Sequence, residues 1–430
     1  MRIPTALCAT AALSCAFAST LLASELTLLT EKLIDPDGAP FDQFGEEVAV
    51  SGDYLLVGSP FDGVLGRQSG SASLFDRTTG QKLFTLTAPD GREGDRFGVS
   101  LAIDGDTIII GAPEKKGLGG EETGGAIYFF DAVTGAHQRT ITAPGGTPED
   151  NFGVDIAIDD GLAVVGAFRE NGPDTDTGAA YLFDVSSGTQ LRRFEAESPR
   201  ANDRYGLSVD IDDRRVLVGS PNEAVGADGV AGATYVYDAL SGAQIARLTV
   251  SDGVFDFDNT EDFGFSVAID GDTALIGEGS VNSASGTTNS GAAHLFDLSS
   301  YTLIASIDGP SGLQNEFFGR FVALDDGIAA VSAAEGRDQP EGAGVVYLYD
   351  ASTGTLLQQL EAFDAARDDG FGVGLALDDG ELFVGAFTDG FDVNGTFRSQ
   401  QGSVYRYVVP EPATGVVLAL GGVAACRRRR

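Results

Sequence analysis

Across residues 24–409, apolar residues fall in short runs, alternating or continuous, parted by turns rich in Gly, Asp, Ser and Thr. Residues 99–103 and 107–110 show the pattern, split by Asp104-Gly105-Asp106. Asp-Gly between two apolar runs predicts a hairpin, because both central residues of the favoured turn need positive φ. A third run follows, as at residues 125–130, 178–183, 232–237 and 344–349, and ends at Asp plus a Ser/Thr-Gly turn. A fourth, such as 82–87 or 244–249, completes a unit of four antiparallel strands.

The unit repeats. An aromatic-Gly pair occurs seven times, at Phe44-Gly45, Phe97-Gly98, Phe152-Gly153, Tyr205-Gly206, Phe263-Gly264, Phe318-Gly319 and Phe371-Gly372, with 53 to 58 residues between successive glycines. Thirteen residues after each glycine stands a second small residue: Gly58, Gly111, Gly166, Gly219, Gly277, Ser332 and Gly385. Four-stranded units of this length predict an all-β, seven-bladed β-propeller with antiparallel blades. The seventh unit stops after its third strand, residues 403–408, and residues 32–45 align without a gap on residues 85–98. Residues 26–34 are therefore expected to supply the missing outer strand and close the ring, which leaves no incomplete terminal blade.

These residues resemble the FG-GAP repeat family, whose repeats build the propeller of integrin α subunits. Phe97-Gly98 with Gly111-Ala112-Pro113 carries the full pattern, while Gly277-Glu278-Gly279 and Ser332-Ala333-Ala334 depart from it, which puts the turns of blades five and six in doubt. The resemblance implies calcium loops between the first two strands. Here those loops are cut to turns such as Asp104-Gly105-Asp106, too short to gather the six to eight oxygens that Ca²⁺ takes. The richer cation candidates are Asp174 with Asp176, and Asp389 with Asp392 and Asn394, both in loops between second and third strands and both lacking the bidentate Glu of a complete loop. No other cofactor is expected.

An acidic residue stands two places before every aromatic of the pair: Asp42, Asp95, Asp150, Asp203, Glu261, Glu316 and Asp369. This acidic ring is read as structural, its carboxylates accepting backbone N–H groups where the chain re-enters each inner strand. The alternative is a ring near the axis that gathers cations or a basic peptide. Strand alternation puts the loops from second to third strand and the loops entering the next blade on one face, which becomes the expected binding face.

Composition narrows the function classes. Gly reaches 59 residues, Trp is absent, and the formal charge is -37, which opposes binding to nucleic acid. The three cysteines, Cys8, Cys15 and Cys426, all lie in the terminal segments, so the body between them holds no disulfide. His137 and His294 lie too far apart in the repeat to act as a pair and are read as strand-edge residues. With no G-x-S-x-G elbow and no phosphate loop, the chain is not expected to be an enzyme.

Residues 1–23 have the basic start and apolar core of a signal peptide, leaving 24–409 as the propeller. The tail, 410–430, joins Pro410-Glu411-Pro412 to an apolar run and to Arg427, Arg428, Arg429 and Arg430. The twelve apolar residues span only ~18 Å as a helix, against a ~30 Å hydrocarbon core. The tail resembles the PEP-CTERM sorting signal of Gram-negative bacteria, which implies cutting by an exosortase-type enzyme, transient membrane contact and delivery to the cell surface or extracellular matrix. The expectation is a monomeric, non-enzymatic surface or matrix protein that binds protein or polysaccharide through its long-loop face. The alternative is a secreted polysaccharide hydrolase or lyase with a carboxylate site in the central channel.

Overall fold

The computed structural model describes residues 31–409 except 118, 122, 145–146, 225–231, 251–261, 281–289, 311–315, 335–342, 367, 394–395 and 399; the signal-peptide and sorting-tail readings therefore lie outside the described residues. Seven four-stranded antiparallel sheets form the blades of a propeller. Blade two is representative, running from the axis outward as Leu101–Asp104, Thr107–Ala112, Ala126–Asp131 and His137–Thr142.

Blade seven is assembled from both ends of the body. Its inner three strands are Phe371–Asp378, Glu381–Ala386 and Ser403–Val408, and its outer strand is Glu31–Leu33, paired antiparallel with Glu31 opposite Arg406 and Leu33 opposite Val404. The ring is closed by the N-terminal strand. A short hairpin, Phe391–Val393 with Thr396–Arg398, extends from the same blade.

The apolar core is divided among the joints between blades. Seven buried clusters each combine side chains of two neighbouring blades, and the one uniting Phe44, Val57 and Phe75 with Phe383 and Val404 spans the closure. The aromatic of each FG pair is the central piece: Phe97 meets Tyr128 and Phe130 edge to face at 5.4 and 6.0 Å, and Phe152 meets Tyr181 at 5.6 Å. Such contacts add to the burial of the rings themselves.

The constant interval of thirteen has a mechanical origin. The FG glycine donates its N–H to the carbonyl of the second small residue, 2.9 Å from Gly98 to Gly111 and 2.8 Å from Gly206 to Gly219. Gly111 in turn faces the carbonyl of Gly153 in the next blade, where a Cβ would come within 2.2 Å of the oxygen. One glycine thus completes its own blade and the other admits its neighbour. Blades five and six keep this frame despite losing the GAP triplet, with second strands Thr273–Glu278 and Ile328–Ala333 at the usual offset.

Candidate functional site

All long connections emerge on one face, where each second-to-third-strand loop is laced to the loop entering the next blade. Parallel bridges join Gly70 to Phe97, Gly125 to Phe152, Gly178 to Tyr205, Gly232 to Phe263 and Gly291 to Phe318. The opposite face carries only short turns, such as residues 105–106 and 132–136. Both ends of the described body meet this short-turn face: Glu31 enters there, and Val409 donates its N–H to Gly380 in a short turn at 2.9 Å.

The acids ahead of the FG aromatics fold their own loops. Each of Asp42, Asp95, Asp150, Asp203 and Asp369 accepts the N–H of the residue three places earlier, with 2.9 Å from Arg92 to Asp95 and 2.6 Å from Arg200 to Asp203. All five are buried, as is Glu316, and Glu261 lies outside the described residues. Burial pushes Asp42, Asp203 and Asp369 up to about 6, against the lowering effect of those N–H groups. None of the six described members is among the residues lining the central channel.

The cation candidates part company. Asp174 is exposed and Asp176 half-buried in their loop, where Asp176 takes a positive φ of 53° and donates its N–H to Asn171 Oδ1 at 3.1 Å. Asp389, by contrast, is buried and accepts bonds from Ser403 and Tyr405 at 2.5 and 3.1 Å, with the Lys32 ammonium 2.5 Å away. Asp392 belongs to the short hairpin, and Asn394 lies outside the described residues. The cluster around Asp389 is a repeated device: blade three joins Glu170, Tyr181 and Arg193, and blade four joins Glu223, Tyr235 and Arg247. In blade two the position of the acid holds Lys115 instead, buried against Asp95 at 3.0 Å.

His294 is not a strand-edge residue. It is buried, and its two ring nitrogens contact Glu278 at 2.9 Å and Ser306 at 3.0 Å, so the Glu that interrupts the GAP triplet of blade five is the partner of this imidazole. His137 is exposed and bonds Thr140.

The alternative reading set carboxylates in the central channel without naming them, and the structure supplies the residues. The seven inner strands surround a cavity of about 490 Å³, walled mostly by Ala, Val, Ile and Leu and interrupted by Glu46, Glu47, Asp155, Asp210 and Arg320. Asp155 accepts the Val209 N–H at 2.8 Å and Asp210 that of Ile269 at 2.8 Å, each a bond to the next blade. Burial raises Asp155 to about 6, Asp210 to about 7 and Glu46 to about 7; it also raises Glu47, helped by the charge of Asp155. Across the lumen the Arg320 guanidinium lies over Phe265, Phe317 and Phe321 at 5.5 to 5.9 Å from the ring centres.

At the short-turn end, the inner strands of blades two to seven all finish on Asp: Asp104, Asp159, Asp212, Asp270, Asp325 and Asp378. Asp159 accepts the N–H of Asp213, Asp212 that of Gly271 and Asp325 that of Asp379, at 2.7 to 3.0 Å, so the carboxylates link blade to blade. Burial, then the charges of Asp270 and Asp378, lift Asp325 to about 6. Among the described residues, no three acidic, His or Cys side chains converge closely enough to hold a metal ion. The readable signal was position: residues two and four after the FG glycine line the lumen, and these are Asp155 and Asp210 in their blades.

No curated protein matches the chain. Residues 28–75, 82–130, 136–183, 189–237 and 243–296 each match the FG-GAP repeat, and every match runs from the outer strand of one blade through the third strand of the next. The matches cover more than half of the sequence, and the chain belongs to the FG-GAP repeat family.

Proposed function

We propose that this is an exported, non-enzymatic binding protein that engages a protein or polysaccharide partner through its long-loop face. The observation that carries the reading is the division of the body into two unlike faces. Every long connection lies on one, braced by the bridges between loops, while both ends of the described body meet the other. Loops held on a rigid scaffold are the usual place for recognition. A tail that leaves from the short-turn face and is handled by an exosortase-type enzyme at Pro410-Glu411-Pro412 would leave the long-loop face turned outward from the cell or matrix.

Purified protein is to be tested on a polysaccharide panel and on proteins of the extracellular fraction. The expected result is saturable binding without turnover. Charge reversal on the long-loop face (Glu93→Lys, Asp174→Lys) weakens it at least about tenfold, and reversal on the short-turn face (Asp53→Lys, Asp106→Lys) leaves it unchanged. Product formation that disappears in Asp155→Asn or Asp210→Asn would replace this reading with the hydrolase or lyase one. Mass spectrometry of the extracellular fraction tests export: peptides are expected to end near Glu411 or Pro412, and an intact Arg427-containing tail in the membrane fraction refutes the sorting step.

A further inference from the structure

We propose that Lys115 and Asp95 of blade two are the two halves of an intramolecular isopeptide bond, an amide that joins their side chains once the chain has folded.

The chain has four lysines among 27 basic residues, and Lys115 stands four places after the second small residue of its repeat. Four other blades hold an acid there: Asp62, Glu170, Glu223 and Asp389. Blade two instead turns a primary amine toward the acid that precedes the FG aromatic. Both side chains are withdrawn from water, at 5% exposure for Lys115 and 0% for Asp95, with 3.0 Å between Nζ and Oδ2. The cations of the clusters in blades three and four are Arg193 and Arg247, and a guanidinium stays charged and cannot serve as a nucleophile.

Three groups around the pair supply what amide formation requires. The Lys116 N–H donates to Asp95 Oδ1 at 2.7 Å and the Arg92 N–H to Oδ2 at 2.9 Å. The carboxyl group is thereby fixed, and charge that develops on Oδ1 meets a donor already in place. The Asp90 carbonyl accepts from Nζ at 2.9 Å and orients the amine. The Asp90 carboxylate stands 3.3 Å from Nζ and accepts the Tyr128 hydroxyl at 2.8 Å. Burial works against its charge, yet the Tyr128 hydroxyl and the Lys115 ammonium hold it below the usual carboxylate range, so it is ionised and able to take a proton.

The reaction is a condensation that needs no external reagent. The ammonium passes one proton to Asp95 Oδ2, which leaves a neutral amine beside a neutral acid, the form that burial favours. Nζ then bonds to Cγ while the carbonyl electron pair moves onto Oδ1. Asp90 takes a proton from the nitrogen and returns it to the Oδ2 hydroxyl, which departs as water. One C–N bond forms, one C–O bond breaks, and nothing is oxidised or reduced. The product ties the loop entering blade two to the loop between its second and third strands, and it closes residues 95–115 covalently in a body that holds no cysteine. Two other lysines face acids in a different setting. Lys82 spans both oxygens of Asp35 at 2.7 and 2.9 Å, and Asp389, opposite Lys32, receives the hydroxyls of Ser403 and Tyr405 on the oxygen that faces the amine. These pairs are expected to remain ion pairs and serve as internal controls.

Peptide mapping of the purified full chain by mass spectrometry is the test, and its outcome does not depend on what the long-loop face binds. Trypsin is expected to cut after Arg92 and Arg96 but not after Lys115, and to release residues 93–96 joined through side chains to residues 97–116, one water lighter than the two peptides apart. Cleavage after Lys82 is expected to stay complete. Lys115→Arg keeps the charge and is expected to give linear peptides only. Asp90→Asn is expected to lower the linked fraction at least about tenfold, the loss that follows removal of a general base, with circular dichroism establishing that each variant is folded. Full linkage in folded Asp90→Asn would overturn the role given to Asp90. Free residues 93–96 together with cleavage after Lys115 in the folded wild-type chain would reduce the pair to a salt bridge and overturn the proposal. A loss of water confined to the linear peptide that contains Asp90-Gly91 would mark a succinimide and overturn it equally.

Discussion

Lys32 of the closing strand places its ammonium 2.5 Å from Asp389 Oδ2 of blade seven, and both side chains are largely withdrawn from water. This ion pair, with Asp364 at 2.8 Å and the Tyr405 ring 5.2 Å from the ammonium, ties the closing strand to blade seven. Removing one partner of a buried pair leaves an uncompensated charge, which costs about 3–5 kcal/mol. Lys32→Met is therefore expected to lower unfolding stability by about that amount in urea denaturation. Lys32→Met/Asp389→Asn is expected to recover part of the loss, because the orphaned charge goes with its partner.

Two glycine substitutions separate packing from backbone conformation. Gly206 has a φ of +82°, and a Cβ there would lie 2.2 Å from the Ala179 carbonyl oxygen, inside the joint between blades three and four. Gly105, in a short turn, has a φ of +52° and nothing within 4 Å. Gly105→Ala is expected to cost about 1 kcal/mol from conformation alone. Gly206→Ala adds a clash with rigid backbone and is expected to exceed about 3 kcal/mol. Comparable losses by chemical denaturation would show that the joint yields.

Most of the architecture was legible because it is written seven times. The thirteen-residue interval is a hydrogen bond between two strands of one blade, and the gapless match of residues 32–45 to 85–98 is the closing strand. Single-copy features were harder to read. Asp389 stands in an Asp- and Asn-rich loop, which suggested a cation, yet its partner Lys32 is far away in sequence and reaches it only through ring closure. His294 pairs with Glu278 across adjacent strands, a contact visible only once their register is known. The channel acids lack such repetition: Asp210 stands where every other blade has Ala, and the position of Asp155 holds Glu47 in blade one but Ser, Phe or Gly in the rest.

Tyr205 is the one tyrosine among the seven FG aromatics, and its buried hydroxyl donates to Tyr237 at 2.8 Å. Tyr237 in turn donates its own hydroxyl to the Glu195 carbonyl at 3.4 Å. Tyr205→Phe restores the residue found in the other six blades, keeps the ring contact with Tyr235 and strands no donor. The expected cost is about 0.5–1.5 kcal/mol, the net worth of one hydrogen bond. A larger loss in thermal or urea unfolding would mean that the hydroxyl pair holds blade four in a way the neighbouring blades do not need.

Stability is expected to peak on the acid side of neutrality. Glu46, Asp155, Asp210 and Asp325 titrate at about 6 to 7 in the folded protein because burial disfavours their charge, well above the usual carboxylate range of the unfolded chain. The folded state therefore binds more protons between pH 4 and 7. The resulting stabilisation is fully present below the unfolded values and is lost as pH rises through 6 and 7. Working the other way, hydrogen bonds from Thr134, Ser187, Ser241 and Ser352 hold the turn residues Asp131, Asp184, Asp238 and Asp350 below the usual range, and their contribution disappears as pH falls through those lowered values. Thermal unfolding should thus give a Tm at pH 5 above that at pH 7.5 by at least about 3 °C, with a decline below pH 4. In Asp155→Asn/Asp210→Asn the rise from pH 7.5 to 5 should shrink while the acid limb stays in place; an unchanged profile would remove the channel carboxylates as its source.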